Sequence, residues 1–296
     1  MPASETRTEL ERRPWHEGEI DARGRAGAPQ IGPVIRRRMT GQLQAFFASL
    51  PLVFIAGLDA RGRPAASSLR GKPGFIHCPD AERMEIHASL PEGDPMTLRP
   101  GAPFGLIGMD FLARRRNRAN GRVVAAGEGK ITLAVEEGFG NCPKYIFPRE
   151  ISTPGDTSAG WREPAGDGAA RKKLIAEADV FFIATRGPDG LDISHRGGLP
   201  GFVRMTGEGA LEIADYRGNN YFNTFGNLLF DPASALLFVD FAQGLALHLS
   251  GDARIDFGGD RRMLTFTPTA ARLLRAAEPF GSAAFAAAPE APALIK

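Results

Sequence analysis

The chain has 296 residues, 43% hydrophobic and 24% charged, the balance of a globular protein with room for two domains of ordinary size. A formal net charge of +2 is too small to point to a nucleic-acid partner, and no stretch approaches the ~20 apolar residues of a membrane span. The two cysteines, Cys78 and Cys142, exclude a disulfide framework or a four-thiolate metal site and suit a reducing cytoplasm.

Residues 1–40 form a polar extension with no apolar core of a secretory signal, so a cytoplasmic protein is expected. The extension carries Trp15-His16-Glu17-Gly18-Glu19, whose role does not follow from sequence. A first module is expected over residues 41–151. It opens with a helix near Met39 to Ser49, then an apolar strand from Val53 to Gly57 that ends at the turn signal Asp59-Ala60-Arg61-Gly62. Residues 152–168, rich in Pro, Gly, Ser and Asp, read as a linker. A second module then spans residues 169–281. In it, a helix from Arg171 to Ala178 precedes the strand Val180 to Thr185 and the turn Gly187-Pro188-Asp189-Gly190. Ala235 to Phe241 is apolar enough to be buried on both faces, whereas Leu245 to Ile255 alternates like a half-buried strand. The Ala- and Pro-rich residues 282–296 read as a tail.

The two modules are diverged copies. Phe54-Ile55-Ala56 recurs as Phe182-Ile183-Ala184, and Pro73-Gly74-Phe75 as Pro200-Gly201-Phe202. With one residue gapped in the turn, Ser67 falls on Ser194 and Gly71 on Gly198. Met84-Glu85-Ile86 falls on Leu211-Glu212-Ile213, Leu106 to Phe111 on Leu236 to Phe241, and Gly121 on Gly251. Apolar strands resemble one another by composition alone, but a co-linear series with shifts confined to turns is the mark of duplication.

Four segments could carry chemistry. In Asp192 to Phe202, a strand ends in Ser194, His195 and Arg196 and runs into Gly197-Gly198. This corner can bring a guanidinium, a hydroxyl and close backbone N–H groups to one phosphate. A tight turn with a solvated Arg would read the same way. The second segment holds Asp215, Asn219, Asn220 and Asn227 around the start of a short helix, suited to an anion or a polar ring edge, or to simple capping. In the first module, Arg116, Arg118 and Asn120 share one face of an expected strand, although an Arg run is usually a solvated face. The fourth segment contributes Asn141, Cys142, Lys144 and Tyr145, with plain packing as the alternative for the cysteine.

The order strand, glycine turn, strand, polar corner, helix, Asp231-Pro232, apolar strand and alternating strand resembles the pyridoxamine 5′-phosphate oxidase-like family. SHRGGLPGFV, RGNN…FGNLL…DP and ALLFVDF are similar to its tandem branch, across roughly Phe46 to Phe257. The resemblance implies a mainly β fold of two tandem FMN-binding split β-barrel modules with a few short helices, related by a pseudo-two-fold axis. It also implies FMN at their interface, with Ser194, His195, Arg196, Gly197, Asp215, Asn219, Asn220 and Asn227 toward the phosphate. Arg116, Arg118, Asn120, Asn141, Cys142, Lys144 and Tyr145 would cover the flavin from the first module. Asn219-Asn220 and Leu245-Ala246 stand where true pyridoxamine phosphate oxidases carry an Arg-Lys and an Arg-Gln pair, which argues against vitamin B6 oxidation. The implied activity is an FMN-dependent oxidoreductase working on a small molecule, with NAD(P)H as a candidate partner; no catalytic residue and no metal site stands out. The alternative is a non-catalytic flavin or haem carrier or sensor. Because the barrel pair would be internal, a monomer is expected, with neither nucleic acid nor membrane as partner.

Overall fold

The computed structural model describes residues 12–32, 34–153, 167–218, 220–258 and 261–285. Asn219, most of the expected linker and all but the start of the expected tail lie outside the described residues.

The first module contains α2 (Gly41–Ala48), β1 (Leu52–Asp59), β2 (Pro64–Arg70), β3 (Ile76–His77), β4 (Arg83–Ile86), β5 (Met96–Thr97), β6 (Pro103–Asp110), β7 (Arg115–Gly127) and β8 (Lys130–Asn141). The second contains α3 (Asp167–Glu177), β9 (Val180–Gly187), β10 (Gly190–Gly197), β11 (Val203–Met205), β12 (Leu211–Ala214), α4 (Asn223–Phe230), β13 (Ala233–Asp240), β14 (Leu245–Asp256) and β15 (Met263–Arg275). A preceding helix, α1 (Glu17–Arg25), belongs to the extension.

Both sheets are antiparallel and follow one plan. The strand path β2-β1-β6-β7-β8-β4-β3 in the first is repeated as β10-β9-β13-β14-β15-β12-β11 in the second. They differ in one insert: the first module adds β5 beside β1, and the second places α4 at the corresponding point of the chain. The expected pair of split-barrel modules is therefore present, and the registers agree residue by residue. Val53 faces Leu69 in the first hairpin as Phe181 faces Arg196 in the second. Gly121 and Gly251, matched in sequence, both sit at a bulge in the pairing with the next strand. A Cβ there would lie 2.0 Å from the Ala134 carbonyl oxygen in one case and 2.2 Å from that of Thr267 in the other, so both bulges demand glycine.

Each sheet wraps its own core, with Val53, Ile55 and Leu106 in the first and Phe181, Ile183 and Leu236 in the second. Alternate residues of the same strands point the other way and meet across a third core, which joins Leu52, Phe54, Ile107 and Met109 to Val180, Phe182, Leu237 and Val239. At its centre the matched residues meet each other: Phe54 stacks on Phe182 with ring centroids 3.6 Å apart, and Phe111 meets Phe241 edge-on at 5.3 Å. Self-contact of equivalent positions is the signature of an isologous interface, here closed within one chain. The Arg149 guanidinium lies 4.3 Å from the Phe241 ring centre and pairs with Asp179 at 2.7 Å, sealing one end.

This interface corrects one expectation. β14 is not half-buried: its first five residues are all buried. Leu245, Leu247 and Leu249 enter the core of the second module, while Ala246 joins the shared core and His248 donates from Nδ1 to the Ala66 carbonyl at 2.9 Å. Alternation marked one apolar face and could not reveal that the other is covered by a second module.

Candidate functional site

The site begins where β10 of the second module ends against β7 of the first. Arg116, Arg118 and Asn120 do share a face of β7, but it is a buried one; they are 8%, 6% and 7% exposed. Asp192, Ser194 and His195 of β10 are equally buried. Arg118 donates to Asp192 at 2.7 Å, and Asn120 bridges Asp192 and Glu137. Ser194 accepts from Thr224, the second residue of α4, at 2.7 Å.

A cavity opens beside this seam. Its walls are Arg116, Arg118 and Tyr145 from the first module, with Ser194 to Gly197, Asp215, Tyr216, Asn220, Phe222 to Phe225 and Arg262 from the second. α4 presents its first turn here without a side-chain cap, and Phe222 before it holds a left-handed backbone at φ +62°. Close approach of the modules depends on Gly197, where a Cβ would stand 2.1 Å from the Tyr145 carbonyl oxygen. Tyr145 closes the mouth by donating its hydroxyl to the Arg217 carbonyl at 2.9 Å.

The electrostatics are unbalanced. Arg196 and Arg262 share one carboxylate, Asp215, at 2.8 and 3.0 Å. Arg118 takes Asp192. Among the described residues no carboxylate lies against Arg116. It donates instead to the Cys142 carbonyl at 2.9 Å, the Cys142 Sγ at 3.3 Å and His195 Nδ1 at 2.6 Å. Burial, and then the neighbouring Arg118 and Arg196, push its pKa down to about 10 despite the nearby Cys142. Burial and the same guanidinium hold His195 well below the usual histidine range, so its ring is neutral. Since Nδ1 accepts from Arg116, the remaining proton sits on Nε2, which is buried without a partner among the described residues.

Placement of the expected residues is uneven. Ser194, His195, Arg196, Gly197, Asp215, Asn220, Arg116, Arg118 and Tyr145 line this one cavity. Cys142 reaches it through Arg116, and both amide atoms of Asn141 are buried without partners among the described residues. Lys144 is exposed and does not line it. Asn227 and Asn120 face a second cavity on the far side of the Arg118–Asp192 pair. Sequence reasoning missed Arg262, Thr224 and the aromatic rings of Phe222 and Phe225.

It also missed the part played by the extension. α1 starts with a capping box: His16 Nδ1 accepts from the Glu19 N–H, and the Glu19 carboxylate accepts from the His16 N–H at 2.9 Å. Glu19, fully buried, also accepts from Asn223 and is gripped by both Nη atoms of Arg13 at 3.0 Å. His16 Nε2 meets the Asn227 carboxamide at 3.1 Å, and Arg23 donates to the Asn220 carbonyl. The WHEGE stretch therefore ties α4 in place, and Arg23 further along α1 ties the polar corner.

The pseudo-symmetric position is built differently. Leu69 stands where Arg196 does, Ser67 is bonded to Asp94, and Arg70 is spent on the Glu278 and Pro279 carbonyls at 3.1 and 3.0 Å. Lys72 is exposed.

No protein-family model matches the chain, and no curated protein matches it. Among solved structures, it is similar to a Clostridium acetobutylicum protein related to general stress protein 26, of the pyridoxinephosphate oxidase family. That match has 16% identity and a TM-score of 0.29 over 36% of this chain and 87% of the other. HupZ of Group A Streptococcus matches at 13% identity and TM-score 0.29 over 35% and 96%. A NimC/NimA family protein of Clostridium acetobutylicum matches at 16% identity and TM-score 0.29 over 40% and 90%. Each of these likenesses extends over about the length of one of the two modules.

Proposed function

We propose that the chain is an FMN-binding flavoprotein with one composite site per chain, and that it serves as an oxidoreductase for a small molecule other than pyridoxamine phosphate, with NAD(P)H as candidate reductant. The observation that carries this reading is Arg116: a buried guanidinium without a carboxylate among the described residues, next to a neutral histidine whose buried Nε2–H lacks a partner there. A buried cation is costly unless an anion meets it, and a phosphate monoester supplies both the charge and the acceptors. Arg196, Arg262, Thr224 and the uncapped start of α4 stand around the same cavity and add donors. Phe222, Phe225, Tyr145 and Tyr216 offer apolar walls to a planar ring. Bound FMN would supply hydride or single-electron chemistry, while these residues bind it, orient it and exclude water.

A haem-carrier reading would need His195 Nε2 free of its proton, which the Arg116 bond to Nδ1 opposes; the visible spectrum separates the two readings. The test is titration of the purified chain with FMN and FAD. One FMN per chain is expected, with Arg116→Leu losing about tenfold to a hundredfold in affinity. Arg116→Leu should leave the ligand-free fold as stable or more so, because it removes an uncompensated buried charge. Failure to take up FMN, preference for FAD, two flavins per chain, or a larger loss from Arg70→Ala than from Arg196→Ala would overturn the reading. Bleaching of the loaded protein by NADPH would mark an enzyme, and resistance to it a carrier.

A further inference from the structure

The second cavity lies beneath α1, between the modules. Arg13, Trp15 and Glu19 of the extension form one wall, Asn120 and Glu137 of β7 and β8 another, and Asp192 of β10 a third. Its charge runs opposite to that of the first cavity. Three carboxylates, Glu19, Glu137 and Asp192, converge on it, each with a side chain 12% exposed or less. Two guanidinium groups answer them: Arg13 serves both Glu19 and Glu137, and Arg118 is taken by Asp192. At the exposed rim the lining adds Arg37, Glu136 and Asp189, with Arg122 paired to Glu136 at 3.7 Å, so one negative charge is left over. Glu137 feels this most, since burial and the carboxylates of Asp192 and Glu19 raise its pKa against the pull of Arg13 and Asn120.

A second, independent observation lies in Asn120. Its Nδ2 is spent on Glu137 and Asp192, but its Oδ1 is buried with no donor among the described residues. A buried carbonyl in that state calls for an N–H. Surplus negative charge and a carbonyl lacking a donor together select a small cation that brings N–H groups, and disfavour anions and neutral apolar molecules.

We infer that this second cavity is a binding site for a small organic cation, a primary ammonium or a guanidinium, recognised by Glu137, Asn120 and Asp192. The inference does not depend on the flavin reading: the Arg118–Asp192 pair stands between the two cavities, and each cavity is tested without loading the other. The site is composite in three ways, since the extension, the first module and the second each provide a wall.

The probes are propylammonium and methylguanidinium, titrated calorimetrically into the full-length protein without flavin, with 1-propanol as the neutral control. Saturable binding at one cation per chain is expected, with no saturable heat from propanol. Glu137→Gln, which removes the surplus charge while keeping the shape, should weaken cation binding about tenfold or more. Asn120→Ala, which removes the orphan carbonyl and keeps every charge, is a separate variant expected to weaken it in the same direction. Thermal melting of each variant reports folding, so one unfolded variant leaves the other to decide. FMN titrated into Glu137→Gln should bind as in the parent chain, which separates failure here from failure of the flavin site. Absent saturation, equal binding of propanol, or unchanged affinity in a folded variant would overturn the inference.

Discussion

Replacing Gly18 by alanine tests how the extension is attached. In most helices, Gly→Ala stabilises by about 0.5–1 kcal/mol because the backbone loses less freedom on folding. Gly24, in the same helix, has nothing within 4 Å of the point where a Cβ would stand, and Gly24→Ala should show that ordinary gain. Gly18 is different: its Cβ would lie 2.3 Å from the Gly226 carbonyl oxygen, and a Cβ on Gly226 would lie 2.6 Å from the Glu19 nitrogen. The neighbours are backbone and cannot rotate aside, so α1 must lift off α4. Overpacking of this kind costs about 1–3 kcal/mol, enough to reverse the sign. The cost is capped by the docking energy of α1, which includes the Glu19–Asn223 and His16–Asn227 contacts. Gly18→Ala and Gly226→Ala therefore destabilise by less together than their separate effects predict, since the first already displaces the helix. Urea unfolding of the parent chain and the four variants, with proteolysis of the extension as a local probe, measures both terms. A gain in stability from Gly18→Ala equal to that from Gly24→Ala would show that the α1–α4 contact does not exist in solution.

Phe54→Ala and Phe182→Ala should each cost about 3–5 kcal/mol in denaturant unfolding, and the double variant clearly less than the two separately, because each ring is the other's partner; strict additivity would refute the stacked pair. Burial, first of all, holds both His195 and His248 below the ordinary value of 6.5. Their unfolded forms bind protons more readily than their folded forms, so stability should fall as pH drops below about 6.5, by up to ~1.4 kcal/mol per pH unit for each group. Melting temperatures from pH 7 to 5 check this, and His195→Gln should flatten the slope. Burial and Asp80 push the Cys78 thiol up to about 12, so iodoacetamide at neutral pH should label Cys142 and spare Cys78; mass spectrometry showing equal labelling would refute the burial argument.

Much of the fold could be read because duplication writes the same constraint twice. Gly121 and Gly251 are required by the same bulge, and Phe54 and Phe182 by the same contact, so the repeat exposed positions that one copy would have hidden. Arg116, Arg118 and His195 were found through residue type and strand period, which hold wherever a strand is regular. Other features left no such trace. The docking of α1 rests on two glycine backbones, and Arg13 meets Glu137 across most of the first module. Neither contact produces a local pattern. Lys144 is the converse case: it stands in a motif that reaches the site, yet its own side chain points to solvent. The burial of the second face of β14 was likewise hidden, because small and polar residues such as Ala246 and His248 read the same whether water or a packed module lies beyond them.

The contact of Phe54 with Phe182 has a consequence for how this molecule can change. Where two identical subunits meet, every substitution arrives in duplicate, and a residue that suits one half of a pocket is imposed on its mirror image. Here the registers place Arg116 opposite Ala246 in the correspondence, Arg118 opposite His248 and Leu69 opposite Arg196. Each of these pairs is a broken symmetry that a true dimer could not hold. Joining the halves lets one inherited position turn into a cation and its twin into packing, so the chain concentrates its arginines on one side of the axis without accumulating the same repulsion on the other.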